Sequence, residues 1–589
     1  MARFEIADPD ADRPRRRWPR KGTIALAVVL LLIGWQAWQY FTAGITVSPQ
    51  TTVITAPLAA DGYPDFERYL VQLQSQGVTT QNNAAVLLWK ALGPGQLDPG
   101  EQRLLKAALG IDEKPVATSV LQPLDDRAVR AKLRTWLGGK QTAERAAFAG
   151  SYGDSSDRTS LSTGHAIDEI VRLATARPWR AEQIPPLAEW VTANDAAIDM
   201  IAAASERPRY WAPSPQPLDA RFDDLSSLHL PLTGRLRDAA AALAARAMHR
   251  AGSGSLREAW RDVLAQFRLS RLATQKTFQV EQFIALSLQE RATEQTLAIL
   301  SQADLPADLA AEILADLQSL PPLPRLADVI DQRTRLQVIS SATGAVVGRY
   351  PLSWWGGQYA PASLQAVATL ASQTDGNAIL RDLNQVLDQA VAIGRIADRA
   401  QRDLAIDVWR EDIDRRAARI GGWGRTLGSV LSKRMRTDAV ADILLVSRMP
   451  DLRAAYRTED RGQVERDLLL VAAALAVYRT EQGEYPETLD ALAPGILAAV
   501  PVDRYTDEPL RYGRRGAGYL LYSVSENGVD DGGTDRDGRI VGGEWNDDPD
   551  AAPDDCDKNF DAVIRVPVPA LHVPARPAGG SVERAEPAE

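Results

Sequence analysis

The stretch QVERDLLLVAAALAVYRTEQGEYP, residues 463–486, decides how the C-terminal part of this chain folds. Val464, Leu468, Val471, Leu475 and Tyr478 recur at alternating steps of four and three, which places them on one face of an α-helix. Gly483 predicts the end of that helix, and Pro486 can open a short second helix through Leu492, stopped by Pro494-Gly495. Further on, Leu510 to Tyr512 and Tyr519 to Val524 are apolar and aromatic runs separated by Gly513-Arg514-Arg515-Gly516-Ala517-Gly518, the pattern of a β-hairpin.

Between the hairpin and a last apolar run, Ala562-Val563-Ile564, the chain is strongly acidic. From Glu526 to Asp561 there are thirteen Asp and Glu against three Arg and Lys, an excess equal to the formal net charge of −10 of the whole chain. Carboxylates at this density repel one another unless water or a cation screens them, and hard oxygen ligands on a flexible, Gly-rich loop suit calcium. Gly533 to Ile540 followed by Glu544 matches part of an EF-hand loop, with Asp535 and Asp537 as ligands. Gly533 stands where that loop requires its first Asp, and flanking helices are not evident. The competing reading is a solvated acidic loop without an ion. Beyond Pro567 the repeated Pro, Ala and Gly predict a tail without a packed core.

Taken together, Leu475 to Arg479, Gly483-Glu484-Tyr485-Pro486, Leu489 to Leu492, Val500 to Asp503, Glu508 to Tyr512 and Tyr522-Ser523-Val524 resemble the globular domain of the major pseudopilin of type II secretion. The resemblance covers about Asp467 to Val566, a fifth of the chain. It implies a small α+β domain with an antiparallel sheet, and calcium held by Asp530, Asp531 and Asp561. Two departures limit it. In a pseudopilin the membrane helix continues into the helix of the globular domain, whereas here some four hundred residues intervene, and Arg20-Lys21-Gly22-Thr23-Ile24 lacks the Glu that follows the leader cut. Assembly into a pilus-like filament is therefore not expected. More diffusely, Asn82-Asn83-Ala84-Ala85 with Ala91 to Pro94, and Arg207-Pro208-Arg209-Tyr210, resemble large uncharacterised bacterial envelope proteins that carry such a module after a helical ectodomain.

The remainder reads as helix. Of the 589 residues 45% are apolar and only 6% aromatic, and Ala is abundant, a mixture that favours packed helices. The expected fold is mainly α: a transmembrane helix, an all-α ectodomain over residues 65–450 that alternates periodic stretches with Pro and Gly breaks, and the small α+β domain over 463–567. Ala244 to Leu272 predicts a helical hairpin broken at Gly252-Ser253-Gly254. It resembles half of a tetratricopeptide repeat, but no copies at the required spacing accompany it.

Thr23 to Ala43 contains no charge and is long enough to cross a bilayer. Arg13, Arg15, Arg16, Arg17, Arg20 and Lys21 precede it and Trp35, Trp38, Tyr40 and Phe41 close it, which predicts a single-pass anchor with the N-terminus cytoplasmic and the bulk exported; the resemblance to secretion and envelope proteins implies that the membrane is a bacterial inner membrane and the bulk periplasmic. A cleaved signal peptide is the alternative. Thr46 to Ala60 reads as an extended spacer.

Several chemistries lack their residues. The lone Cys556 excludes an intramolecular disulfide and cysteine-based metal sites, and His165, His229, His249 and His572 are too scattered for a zinc helix. No P-loop or nucleophile elbow is present. The acidic balance disfavours nucleic acid as a partner. Trp354, Trp355 and Tyr359, in a Gly-flanked aromatic cluster, are candidates for a binding surface, with gap-filling between helices as the alternative. The expectation is an envelope scaffold or adaptor with a protein partner and a calcium-binding module, linked to a type II secretion-like system. The alternative is an exported enzyme with its site in a cleft of the helical region.

Overall fold

The computed structural model describes residues 44–95, 97–111, 120–138, 163–213, 232, 234–275, 279–349, 373–420, 428–429, 431–449, 451–530, 532–533, 561–568 and 571, together with 26, 27, 30, 34 and 225. The fold is mainly α, with one three-stranded antiparallel sheet near the C-terminus. Among the described residues no helix is long and apolar enough to cross a membrane; the run 23–43 lies outside them but for Leu26, Ala27, Leu30 and Gly34, which are helical. Contacts divide the chain into two compact units, one of residues 1–64, 338–385 and 411–449, the other of residues 65–337, 386–410 and 450–589.

The larger unit opens with α1 (Phe66–Ser75), α2 (Ala84–Leu92), α3 (Pro99–Leu109) and α4 (Arg127–Gly138). Asp65, Asn83 and Asp98 start the first three by accepting hydrogen bonds from orphan backbone N–H groups, and Asp98 with Glu101 completes a capping box. Then come α5 (Thr163–Ala176), α6 (Pro185–Ser205), α7 (Arg235–Gly252), α8 (Leu256–Ala273), α9 (Gln279–Leu300) and α10 (Ala307–Ser319). The α7–α8 pair is the expected helical hairpin: Gly254 takes a positive φ of 85°, and Leu256, Ala259, Trp260, Val263, Leu264 and Phe267 are all buried. Gly252 is required there, because a Cβ would lie 2.1 Å from the Trp179 carbonyl oxygen. Between α7 and α8, Arg246 is 2% exposed and bonds Asp262 at 2.7 Å while reaching Asp195 and Asp199 of α6. An ion pair so buried persists because both charges are matched by hydrogen bonds.

The C-terminal part of this unit is built on α15 (Leu452–Gln482), which starts eleven residues before Gln463, at an Asp451 cap, and ends at Gly483 in the left-handed conformation. A 3-10 turn, Leu489–Leu492, stands where a short helix from Pro486 was expected. Strands β1 (Arg511–Arg515) and β2 (Gly518–Ser523) form the hairpin, and β3 (Ala562–Val566) pairs with β2. Both hairpin strands run into the Gly-rich linker because the turn is only Gly516-Ala517, with Gly516 at φ 58°. A single apolar core joins Leu88, Trp260 and Ile313 of the helices to Leu475 of α15, Leu521 of β2 and Ile564 of β3. The sheet is thus continuous in packing with the helical body of its unit.

The other unit takes in most of α11 (Arg335–Val346), the first half of α12 (Gly376–Gly394), the C-terminal part of α13 (Arg399–Arg419) and all of α14 (Lys433–Arg448), the rest of α11, α12 and α13 belonging to the larger unit. The stretch Thr46 to Ala60, expected as a spacer, is packed here. Thr51 and Thr52 are buried, Thr46 N–H donates to Asn377 at 2.7 Å, and the Asn384 amide donates to the Thr51 carbonyl at 2.9 Å. Arg349 pairs with Asp61 at 2.8 Å.

Candidate functional site

The end of β2 gathers three carboxylates of different character. Asp503, 1% exposed, accepts from Tyr505 N–H at 2.9 Å, the Ser523 hydroxyl at 2.8 Å and Val524 N–H at 2.9 Å. Its oxygens are occupied and its work is structural: it pins the chain leaving β2 to the Val502–Pro509 bridge. Asp530 lies on the solvent side. Its Oδ1 accepts from the Tyr522 hydroxyl and Gly532 N–H, both at 2.9 Å, and its Oδ2 from Arg511 Nε at 3.3 Å. The Gly532 and Tyr522 bonds hold its carboxyl below the ordinary range. Asp561, 4% exposed, accepts from Gly533 N–H at 2.7 Å, and Arg565 donates to the Gly533 carbonyl.

Asp530 and Asp561 both act on Tyr522. Burial, then the Asp530 hydrogen bond and the charges of both carboxylates, push its hydroxyl up to about 12. The register explains the meeting: Tyr522 faces Val563 and Ser523 faces Ala562, so Asp561 arrives beside the end of β2 as β3 begins. Gly533, at φ 74°, lets the loop lie on β2, since a Cβ there would stand 2.8 Å from Leu520 Cδ2.

Calcium takes six to eight oxygens. Of the expected ligands the described residues place Asp530 and Asp561 around one tyrosine; Asp531, Asp535 and Asp537 lie outside the described residues. Among the described residues no three acidic, His or Cys side chains gather closely enough to hold a metal, and Arg511 already matches the charge of Asp530. The visible donor set is therefore partial: a cation here would displace Arg511 from Asp530 and draw its remaining oxygens from other parts of the acidic loop. Trp354, Trp355 and Tyr359 also lie outside the described residues.

Reading of the sequence missed a second carboxylate pair. Glu465 of α15 and Glu290 of α9 each keep a buried Oε1 without a hydrogen-bond partner. Burial and then the Glu290 charge push the Glu465 carboxyl up to about 8, opposed by Arg461, whose Nε lies 3.4 Å away. The partners are far apart in the chain, and nothing local in the α15 pattern distinguishes Glu465 from a solvated position.

No family model, curated protein or solved structure matches this chain.

Proposed function

We propose that this protein is an envelope scaffold or adaptor, anchored in the bacterial inner membrane by residues 23–43 with its bulk in the periplasm, whose C-terminal pseudopilin-like module is stabilised by calcium and docks onto a secretion-related assembly. The observation that supports this reading is the shared core of α15, the sheet and the helical body. A module tethered by a loop could bind but not transmit orientation, whereas one packed into the body couples a partner on the sheet rigidly to a partner on the helices. Asp530 and Asp561 would supply two of the calcium oxygens, and calcium would neutralise part of the excess negative charge between β2 and β3.

The test has two independent parts. A reporter fused after Pro567 should be active only in the periplasm; a cytosolic signal overturns the localisation. Calcium at millimolar concentration should raise the melting temperature of the whole chain, since a ligand that binds only the folded form stabilises it, and magnesium at equal concentration should do less. An unchanged melting temperature removes calcium from the proposal.

A further inference from the structure

A cavity of about 390 Å³ opens between α9, α15 and the extended Leu320–Leu326 segment. Three features of it are left without a structural explanation. Gly462 stands in the interior of a 31-residue helix, where glycine is a poor helix former, and it keeps the α15 surface low opposite Leu286: a Cβ would sit 3.4 Å from Leu286 Cδ2. Phe283, on the α9 wall, is 38% exposed. Gln282, only 9% exposed, lines the cavity with its Oε1 lacking any hydrogen-bond partner, while its Nε2 reaches the Pro324 carbonyl at 3.4 Å. A buried acceptor left open is costly unless a donor arrives.

The charge at this place is also unbalanced. Arg466 donates to the Leu320 carbonyl and Arg271 to the next one, that of Pro321, both at 3.2 Å. Neither guanidinium forms an ion pair among the described residues. Burial, and after it the neighbouring Arg466 charge, bring the Arg271 guanidinium down to about 10. The lining carries Arg325, Arg466 and Arg504 against two carboxylates: Asp467 pairs with Arg504 at 2.5 Å, and Glu459 accepts from Leu326 N–H at 3.0 Å, which leaves a net positive charge beside Arg466. Pro322 and Pro324 stiffen the third wall and offer carbonyls without N–H groups.

We propose that this groove binds an extended acidic segment of a partner protein, its backbone N–H donating to Gln282 Oε1, a carboxylate lying against Arg466, and an apolar side chain packing on Phe283 and Leu286. The inference rests on the adaptor reading for taking the ligand to be a protein segment, and it is independent of calcium and of the membrane anchor. An acidic side chain and a chain-terminal carboxylate share the required chemistry.

The test uses the full chain in detergent and fluorescence anisotropy of labelled peptides of about twelve residues alternating Glu with Leu. Saturable binding is expected, with a loss of about tenfold for Arg466→Gln and again for Gly462→Leu, and little binding of the same peptide with Lys for Glu or Ser for Leu. Capping the peptide C-terminus as an amide tells the two carboxylate sources apart: retained binding assigns the side chains, lost binding the terminus. Gly462→Ala and Phe283→Ser serve should Gly462→Leu not fold; the first is expected to raise the melting temperature while weakening binding. No saturable binding up to about millimolar peptide, equal binding of the Lys peptide, or undiminished binding by every folded groove variant overturns the proposal. A groove that fails while calcium still stabilises the chain leaves the module reading standing, and the converse result leaves the groove.

Discussion

The side-chain amide of Asn83 pairs with both backbone polar groups of Trp211, its Nδ2 donating to the carbonyl at 2.7 Å and its Oδ1 accepting the N–H at 3.0 Å. The same Oδ1 caps α2 by accepting from Ala85 N–H at 3.1 Å. Alongside, Ala84 N–H donates to the Arg209 carbonyl at 2.7 Å, and Arg209 N–H to the Asn82 carbonyl at 3.1 Å. Two segments 128 residues apart are thereby stitched together, and they are the two that stood out in this part of the sequence. Replacing Asn83 by Ala removes the cap and leaves the Trp211 groups unpaired in a part-buried setting. Loss of about 3 kcal/mol is expected in urea unfolding. A cost below about 1 kcal/mol would mean that water replaces the amide.

Glu465 makes stability depend on pH in an unusual direction. Its carboxyl titrates at about 8 in the folded chain, well above the ordinary glutamate value it regains on unfolding. A carboxyl that holds its proton more tightly when folded favours folding at low pH, and that contribution is lost as pH rises from the ordinary glutamate range through the folded value. Glu465→Gln copies the protonated form. The variant should melt close to the parent at about pH 5 and be more stable by about 2 kcal/mol at about pH 8.5. An advantage that does not grow with pH counts against burial and the Glu290 charge holding the Glu465 carboxyl protonated.

Arg511 and a cation would compete for Asp530. Removing the guanidinium with Arg511→Gln frees Asp530 Oδ2, so apparent calcium affinity should rise roughly fivefold, the scale of one exposed charge pair. Asp561→Asn should abolish the response. Calorimetric titration checks both, and an Arg511→Gln protein that binds calcium no better than the parent would separate Asp530 from the ion.

The fragment 463–567 should not fold by itself. Ala472, Ala473, Ala474, Leu475 and Ala476 are each at most 1% exposed, so this part of α15 is covered on every side. A three-stranded sheet covers one face of a helix; Arg479 bonding the Leu300 and Gln302 carbonyls and Arg466 bonding that of Leu320 show that α9 and α10 cover another. Cut free, the fragment should bind a hydrophobic dye and melt without a cooperative transition. A sharp unfolding transition of the fragment would contradict this.

What the sequence determined by itself is what short-range physics controls. Apolar spacing located the second half of α15, Gly483 its end, Gly252 to Gly254 the break between α7 and α8, and the Gly-rich linker the hairpin, because periodicity and positive φ depend on neighbours a few residues away. The first turns of α15 carry no sustained apolar stripe: in residues 452–462 only Leu452 and Tyr456 are large and apolar and Gly462 interrupts the run, so periodicity does not mark a helix there although Ala454, Ala455 and the Arg and Glu residues favour one. These turns are fixed by the burial of Leu452 and Tyr456 and by the pairing of Arg402 with Asp460, contacts with distant parts of the chain. Tertiary structure alone decided that residues 472–476 of α15 are enclosed, that the Glu465 charge meets that of Glu290, that Arg511 reaches Asp530, and that Gly462 lies close against Leu286 in the wall of an open groove. Each of these is a meeting of side chains on separate elements, and a pattern along one element carries no information about what another will bring against it.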